Sequence, residues 1–394
     1  MPPSKHVLLG ASKAHQWMNC PPSAKWELSF PETKTSESAA EGTLAHAVAE
    51  EHLRKLLDGK KPTTSAKLKR EALYRPAMEE HVGVYVEYVM EHLAQARRTT
   101  PDAMLLLEER VDFSKYVPDG FGTTDALLIA DGTMEVFDLK YGKGVPVGAA
   151  GNPQIRLYAL GALASFDGLY DIREVIMHIV QPRLSSITSE TMSADDLRMW
   201  GALDVSPVAA LAAEGKGEHK AGEHCRWCRC KHVCRIFAMA QLEIAKQRFS
   251  DPGHEERKPD ELSAAEISEI LRGVDGLVRW AKSIKEWALD QCVNHGAAFP
   301  GFKLVEGRSN RIIADELVAA QRLSEAGFGM EQTMKLRGLT ELEELVGEKR
   351  LSELLDGMIF KPAGKPALAQ ENDKRPALSS TARAQAVFTP MDEE

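Results

Sequence analysis

The spacing of apolar residues along the chain changes several times, and each change predicts a change of secondary structure. Residues 38–59 and 76–98 carry apolar side chains at helical intervals, which predicts a helix in each segment. Ser38 and Glu41 form a capping-box pattern at the start of the first helix, and Gly59 marks its end. Extended patterns follow and predict strands at 104–113, 121–130 and 133–142.

Helical spacing returns at 152–166, where Asn152 is a suitable N-cap and Pro153 occupies the first helical position. A further strand is predicted at 173–182, and its last residue is a proline. The order of helices, three strands, helix and strand predicts an α/β fold with a mixed central sheet flanked by helices.

The pattern after this core is mainly helical. Residues 263–294 predict a long helix with a capping box formed by Ser263 and Glu266, and residues 300–362 predict a small module of a strand and helices. The predicted divisions are a core at 1–249, a linker at 250–262, a mainly helical module at 263–362 and a flexible tail at 363–394.

Composition limits the class of protein. The chain has 394 residues, 43% of them hydrophobic, and it contains no apolar run long enough to span a membrane. Because the N-terminus also lacks a secretory signal, we expect a soluble intracellular protein whose six cysteines are metal ligands or free thiols. The net charge of −9 argues only weakly against nucleic acid, since an acidic protein can carry one basic groove.

A predicted hairpin brings two carboxylates together. Asp131 and Gly132 favour a two-residue turn, and the register of such a hairpin places Asp125 opposite Asp138. Lys140 follows two positions later and so projects from the same face as Asp138. Opposed carboxylates are an oxygen-rich site suited to Mg²⁺ or Mn²⁺. The alternative is the solvated face of an edge hairpin, with Lys140 screening the two charges.

Two helices contribute further polar residues. Gln154 and Tyr158 are four positions apart and share one face of their predicted helix, and His46 shares a face with Glu50 on the first long helix. Taken singly, His46 is consistent with an ordinary hydrogen-bonded histidine and Tyr158 with simple packing.

The ordered set resembles the RecB-type branch of the PD-(D/E)XK nucleases. The matching motifs are Gly42 to His46, Gly122 to Asp125, Asp138-Leu139-Lys140 and Gln154 to Tyr158, and the resemblance covers about residues 8 to 240. It implies a restriction-endonuclease-like core and a metal-dependent DNA exonuclease that hydrolyses phosphodiester bonds.

The resemblance also implies a role at each position. His46, Asp125, Asp138 and the backbone carbonyl of Leu139 would bind Mg²⁺ or Mn²⁺. Lys140 would orient or activate the attacking water, and Gln154 and Tyr158 would position the substrate strand. Glu108 or Glu109 would add a carboxylate behind the metal ligands.

The cysteines of "CRWCRCKHVC" first suggest zinc, with Cys230, His224 or His232 completing a site begun by Cys225 and Cys228. However, the iron-sulfur members of this nuclease branch, among them the AddB nuclease domain, have one cysteine before the histidine helix and three after the core. Their pattern is matched by Cys20, Cys225, Cys228 and Cys234. The resemblance therefore implies a [4Fe–4S] cluster, with Cys230 as an additional thiol and Cys292 as a packing residue.

Basic residues surround these cysteines, and they are predicted either to contact DNA or only to solubilise the loop: Arg226, Arg229, Lys231 and Arg235. Residues 300–380 resemble an uncharacterised phage and prophage family, which implies phage recombination or DNA-end processing in the cytoplasm of a bacterial host. A phage single-strand-binding or annealing protein is then an expected partner. Two other interpretations remain open, a catalytically idle DNA-binding or assembly factor and a zinc-bearing regulatory protein.

Overall fold

The structure is a computed structural model, and it describes residues 8–30, 36–246, 264–302 and 338–356 together with positions 318, 321, 325 and 359. The predicted linker, the cap at Ser263, most of the module at 300–362 and the predicted tail lie outside these residues. Within the described part of the chain, no helix has the length and apolar character needed to cross a membrane.

The first part of the chain is helical. Its helices are α1 (Ala14–Asn19), α2 (Ser23–Trp26), α3 (Glu37–Leu57), α4 (Ala66–Lys69) and α5 (Ala77–Thr99). The central part contains β1 (Met104–Asp112), β2 (Phe121–Ala130), β3 (Thr133–Leu139), α6 (Pro153–Tyr170), β4 (Glu174–Gln181) and β5 (Ser186–Ser193). The helices that follow are α7 (Ala194–Trp200), α8 (Ser206–Glu214), α9 (Arg235–Lys246), α10 (Ala264–His295), α11 (Leu339–Val346) and α12 (Glu348–Leu354).

The five strands form one mixed sheet in the order β1-β2-β3-β4-β5. Strands β3 and β4 are parallel and the other neighbours are antiparallel, so α6 is the crossover between the parallel pair. The predicted hairpin register is confirmed, because Ala130 pairs with Thr133 and Ala126 with Phe137. Gly132 has φ +75°, a left-handed conformation that glycine adopts without strain at the second central position of a tight turn.

Helices cover both faces of this sheet. One face packs against α6 and the N-terminal segment, and its core includes Leu127, Val136 and Ile155. The other face packs against α3 and α5 through residues such as Leu128 and Phe137. The predicted α/β class with a mixed sheet between helices is therefore confirmed.

Several local predictions need correction. The N-cap of α3 is Ser36, whose hydroxyl accepts from the Ala39 amide, and not Ser38. Glu41 consequently takes no part in a capping box and instead pairs with Arg183 at 2.8 Å. Strand β3 ends at Leu139 rather than at residue 142. Strand β5 was not predicted, because its sequence SITSETMS has no continuous apolar face.

Candidate active site

The two hairpin aspartates are distant from the turn, Asp125 in the middle of β2 and Asp138 near the end of β3. The register places Asp125 opposite Asp138, and the Leu139 amide donates a hydrogen bond to Asp125 Oδ2 at 2.7 Å. Asp138 is 4% exposed, which is unusual for a carboxylate and needs compensating charge.

An imidazole and a third carboxylate complete this group. His46 on α3 lies with Nδ1 3.0 Å from Asp125 Oδ1. Glu108 on β1 adds a carboxylate, and the ligand atoms of His46, Glu108 and Asp125 all lie within 4.8 Å of one another. Glu108 has φ +53° in the middle of a strand, a strained conformation that is concentrated at functional sites. Of the two glutamates considered from sequence, the structure brings Glu108 to the site.

Lys140 links the carboxylates to α6. Its Nζ lies 2.9 Å from Asp138 Oδ2 and donates hydrogen bonds to Asp138 Oδ1 at 3.2 Å and to Gln154 Oε1 at 3.1 Å. The Gln154 amide in turn donates to the Tyr158 hydroxyl at 3.1 Å. A Cβ at Gly122 would lie 2.5 Å from the Tyr158 ring, so glycine is required there for this close approach. Gln154 and Tyr158 therefore share one face of α6, as their four-residue spacing predicts.

The charges of the site are not balanced. Burial alone would lower the pKa of His46, but Asp125 and Asp138 outweigh it and raise the pKa to about 9. Burial, together with repulsion from Asp125 and Glu50, raises the pKa of Glu108 to about 7. Burial also raises the pKa of Asp138 against the opposing attraction of Lys140. The positive charges of His46 and Lys140 therefore do not balance the negative charges of the three carboxylates.

The same field acts on Lys140 and Tyr158. Burial would lower the pKa of Lys140, but Asp138 outweighs it and the pKa is raised, so the amine stays protonated. Burial and then Asp138 raise the pKa of Tyr158 to about 12, so the phenol stays neutral. Both groups are hydrogen-bond donors at neutral pH. The oxygen-rich donor set with one imidazole fits a hard divalent cation such as Mg²⁺ or Mn²⁺.

Two predicted neighbours of the site have other partners. Glu50 forms an ion pair with Arg54 at 2.8 Å, one turn along α3. Glu109 pairs in register with Thr124, one position away from the Asp125 row. Gly42 has open space beside it, so the structure gives no steric reason for a glycine at that position.

The predicted cluster cysteines come together from distant parts of the chain. Burial raises the pKa of Cys225 to about 11, and the thiols of Cys228, Cys20 and Cys234 add to this effect. Among the described residues, no three potential ligand atoms that include a cysteine lie within 4.8 Å of one another. Cys230 is fully buried and hydrogen bonded to Cys228. Cys292 is half-buried on α10.

The N-terminal segment is joined to the cysteine loop by a buried carboxylate. Glu27 accepts a hydrogen bond from the Arg229 amide at 2.7 Å and pairs with Lys13 at 2.5 Å. The Arg229 side chain lies 3.5 Å from the same carboxylate. This ion pair holds the segment that carries Cys20 against the loop that carries the other three cysteines.

The four predicted DNA-binding residues therefore differ in their surroundings. Arg226 and Arg235 are exposed, and the Arg226 guanidinium lies 5.2 Å from the Trp227 ring centroid. Lys231 donates to the Arg226 carbonyl at 2.9 Å. Arg229 is engaged by Glu27, so its first role is to hold the loop in place.

A second group of metal-ligating residue types lies around Glu135 on β3 and was not predicted. Glu135 Oε2 is hydrogen bonded to His92 Nδ1 at 2.6 Å and to His178 Nε2 at 3.0 Å. Burial would raise the pKa of Glu135, but the hydrogen bonds from His178 and His92 outweigh it and lower the pKa to about 2. The sequence signal for this group is weak, because Glu135 and His178 are each flanked by apolar residues in two mostly apolar strands and no spacing connects them.

Comparison with known proteins gives one family match. The profile of the family described as "Protein of unknown function (DUF2800)" matches residues 6–376. The solved structure described as "Crystal structure of SSO0001" is 11% identical and aligns with 57% of this chain and 95% of that chain. Its TM-score is 0.21, too low to support an argument about fold or function.

Proposed function

We propose that this chain, which belongs to the DUF2800 family, is a metal-dependent deoxyribonuclease that hydrolyses phosphodiester bonds. The observation that carries the proposal is the cluster of Asp125, Asp138 and Glu108 beside His46 and Lys140, which has an excess of negative charge. Closely spaced carboxylates in excess of positive charge are typical of a site that binds a divalent cation.

The side chains support specific roles. Asp125, Asp138, His46 and the Leu139 carbonyl would hold Mg²⁺ or Mn²⁺, with Glu108 as a further carboxylate. The cation supplies Lewis-acid stabilisation of the charge that develops on the phosphoryl group. Lys140, which stays protonated, is suited to orient the water and stabilise that charge rather than to accept a proton. Gln154 and Tyr158 offer hydrogen-bond donors to the substrate strand.

The fold proposal is a PD-(D/E)XK core of the RecB type. Its support is that the histidine helix, the two aspartate strands and the Gln-Tyr helix occur in that chain order and converge on one site. An exonuclease in phage recombination or DNA-end processing remains the proposed biological role, and it rests on the sequence resemblance alone.

The cysteines are proposed to bind a [4Fe–4S] cluster through Cys20, Cys225, Cys228 and Cys234. The support is the sequence pattern of one cysteine before the histidine helix and three after the core, in which each thiolate would bind a different iron.

The nuclease proposal is tested with end-labelled single-stranded and duplex DNA, with Mg²⁺, with Mn²⁺ and with EDTA. Cleavage should require the cation, and Asp138→Asn should slow it by at least about a hundredfold. Asp131→Asn is the matched control, because it makes the same change in the exposed turn of the same hairpin and should leave the rate unchanged. Equal rates for the two variants, or wild-type cleavage in EDTA, would contradict the proposed site.

The cluster proposal is tested by producing the protein under oxygen-free, iron-replete conditions. The wild type should be brown with about four irons per chain, and Cys20→Ser should lose iron although it lies far from the other ligands in sequence. Cys292→Ser is the control and should retain the iron. Stoichiometric zinc without iron in the wild type would refute the cluster.

A further inference from the structure

A groove of about 740 Å³ lies between the cysteine loop, α9 and α10, and it is separate from the candidate active site. Its volume falls within the ~300–1,000 Å³ of typical ligand pockets. The groove is lined by three cations and three aromatic rings: Arg226, Lys231, Arg279, Trp227, Phe237 and Trp280. Glu223 and Asp275 also line it, so the cations exceed the acids by one.

Two polar atoms in the groove wall lack a partner. Gln241 is 8% exposed, and its Oε1 is buried without a hydrogen bond to any residue that the structure describes. Trp280 Nε1 is likewise buried and has no partner within the described chain. Unpaired buried donors and acceptors are costly and uncommon in folded proteins. An unpaired acceptor and an unpaired donor in one groove therefore indicate a ligand that carries both a hydrogen-bond donor and a hydrogen-bond acceptor.

A glycine of α10 approaches the Gln241 acceptor closely. A Cβ at Gly276 would lie 3.2 Å from Gln241 Oε1, so a larger residue in this turn of α10 would crowd it. Glycine inside a helix is less favourable than alanine, and the close approach of Gln241 gives a reason for glycine here.

An exposed aromatic ring lies at the same groove. Trp227 is 70% exposed, although tryptophan is usually well buried, and Arg226 lies against its ring. An exposed indole with an adjacent guanidinium provides a stacking surface beside a phosphate-binding charge.

We infer that this groove binds single-stranded DNA, with a base stacked on Trp227 and its edge hydrogen bonded to Gln241 and Trp280. A nucleobase edge carries an adjacent donor and acceptor, which complement the two unpaired atoms. A single strand exposes base faces and edges, whereas a duplex conceals the faces by stacking and uses the pairing edges. Arg226 and Arg279 then contact phosphates. The choice of DNA as ligand rests on the proposed function.

The test is binding of fluorescent 12-nucleotide single strands and of the matching duplex, measured by anisotropy in EDTA so that cleavage does not interfere. The wild type should prefer the single strand, and Trp227→Ala should weaken that binding about tenfold, the typical effect of losing one base stack. Phe302→Ala is the matched control, because this ring is 83% exposed but does not line the groove. Equal affinity of Trp227→Ala and the wild type, or no preference for the single strand, would overturn the inference.

Gln241→Leu separates a binding role from a structural one. Removing an unpaired buried carbonyl should leave the thermal midpoint unchanged or raised, while affinity for the single strand falls.

Arg279→Ala should reduce both the affinity and its salt dependence, whereas Lys282→Ala, a cation on the same helix outside the groove, should change neither. Unchanged affinity in Gln241→Leu and Arg279→Ala would exclude the groove as the binding site.

The inference and the proposed function fail in different ways. A wild-type protein that binds single strands in EDTA but cleaves nothing with Mg²⁺ or Mn²⁺ would refute only the nuclease. A protein that cleaves DNA normally while Trp227→Ala binds as tightly as wild type would refute only the groove.

Discussion

The central sheet carries two clusters of histidine and carboxylate side chains, and the clusters differ in how their charges are satisfied. In the first, His46, Glu108 and Asp125 lie beside the further carboxylate of Asp138. In the second, Glu135 accepts from two imidazoles through the same oxygen, and Tyr88 is hydrogen bonded to His178 at 3.0 Å. Both clusters have the residue types of a metal site, and both hold their ligand atoms within 4.8 Å of one another.

The pKa shifts of the carboxylates have opposite signs in the two clusters. Burial and neighbouring negative charge raise the pKa of Glu108 to about 7, whereas hydrogen bonds from His178 and His92 overcome burial and lower that of Glu135 to about 2. The first cluster is therefore destabilised as it stands and would gain from a cation. The second is stabilised by its own hydrogen bonds. Balance between donors and acceptors distinguishes the two clusters, while residue type and proximity do not.

The same substitution in each cluster should give the largest contrast. His46→Ala removes a proposed metal ligand and should slow DNA cleavage by about a hundredfold or more, since even residues behind the ligands are worth 10–100-fold. His92→Ala should leave the rate per folded molecule unchanged and lower the thermal midpoint instead. The measurement is cleavage at saturating Mn²⁺, normalised to folded protein by circular dichroism. A comparable loss of activity in both variants would remove the distinction.

A stability measurement should show the favourable charge balance around Glu135. Its folded-state pKa is lowered from 4.5 to about 2, so its contribution is present above pH 4.5 and is lost as the pH falls toward 2. Glu135→Gln should reduce the free energy of unfolding by roughly 3 kcal/mol at pH 7 and by much less at pH 3. Urea unfolding at both pH values measures this difference. Glu91→Gln, on the exposed side of α5, should have little effect, and a pH-independent loss at Glu135 would contradict the electrostatic account.

At Glu108, the same kind of substitution should change the stability of the protein in the opposite direction. Because burial and Asp125 raise its folded-state pKa to about 7, the carboxyl group favours folding below pH 4.5 and loses that contribution as the pH rises through 7. The side chain is exposed, so solvent screens part of the repulsion. Glu108→Gln should therefore stabilise the metal-free protein by about 1 kcal/mol at pH 8 and have no such effect at pH 4. Thermal unfolding in EDTA tests this, with Glu109→Gln as control, and destabilisation at pH 8 would reverse the interpretation.

Sequence predicted those parts of the fold that depend on neighbouring residues. Asp131-Gly132 set the hairpin register, and with it the opposition of Asp125 and Asp138. Asn152 caps α6 as expected, its side chain accepting from the Gln154 and Ile155 amides. In both places the determining contacts join residues at most a few positions apart in the chain or in a hairpin.

The failures have physical reasons. Ser36 and Ser38 are both acceptable caps, and a choice between them depends on where the chain enters α3. Strand β5 alternates between half-buried and exposed side chains and is mostly polar, so its pattern resembles a loop. Glu135 is separated by 43 positions from each of its histidine partners, and no local spacing connects them. Glu108 could be distinguished from Glu109 only by the positive φ that aims it at the site.

The contact between Glu27 and Arg229 has a consequence for how the protein is made. The two residues are 202 positions apart, so at roughly 5–20 residues per second a ribosome needs about 10–40 s to synthesise the second after the first. The hairpin can form early because its strands are adjacent, while the contact between the N-terminal segment and the cysteine loop must wait for that loop to emerge. The nascent chain can thus bring its hairpin carboxylates together before the contact between Glu27 and Arg229 forms.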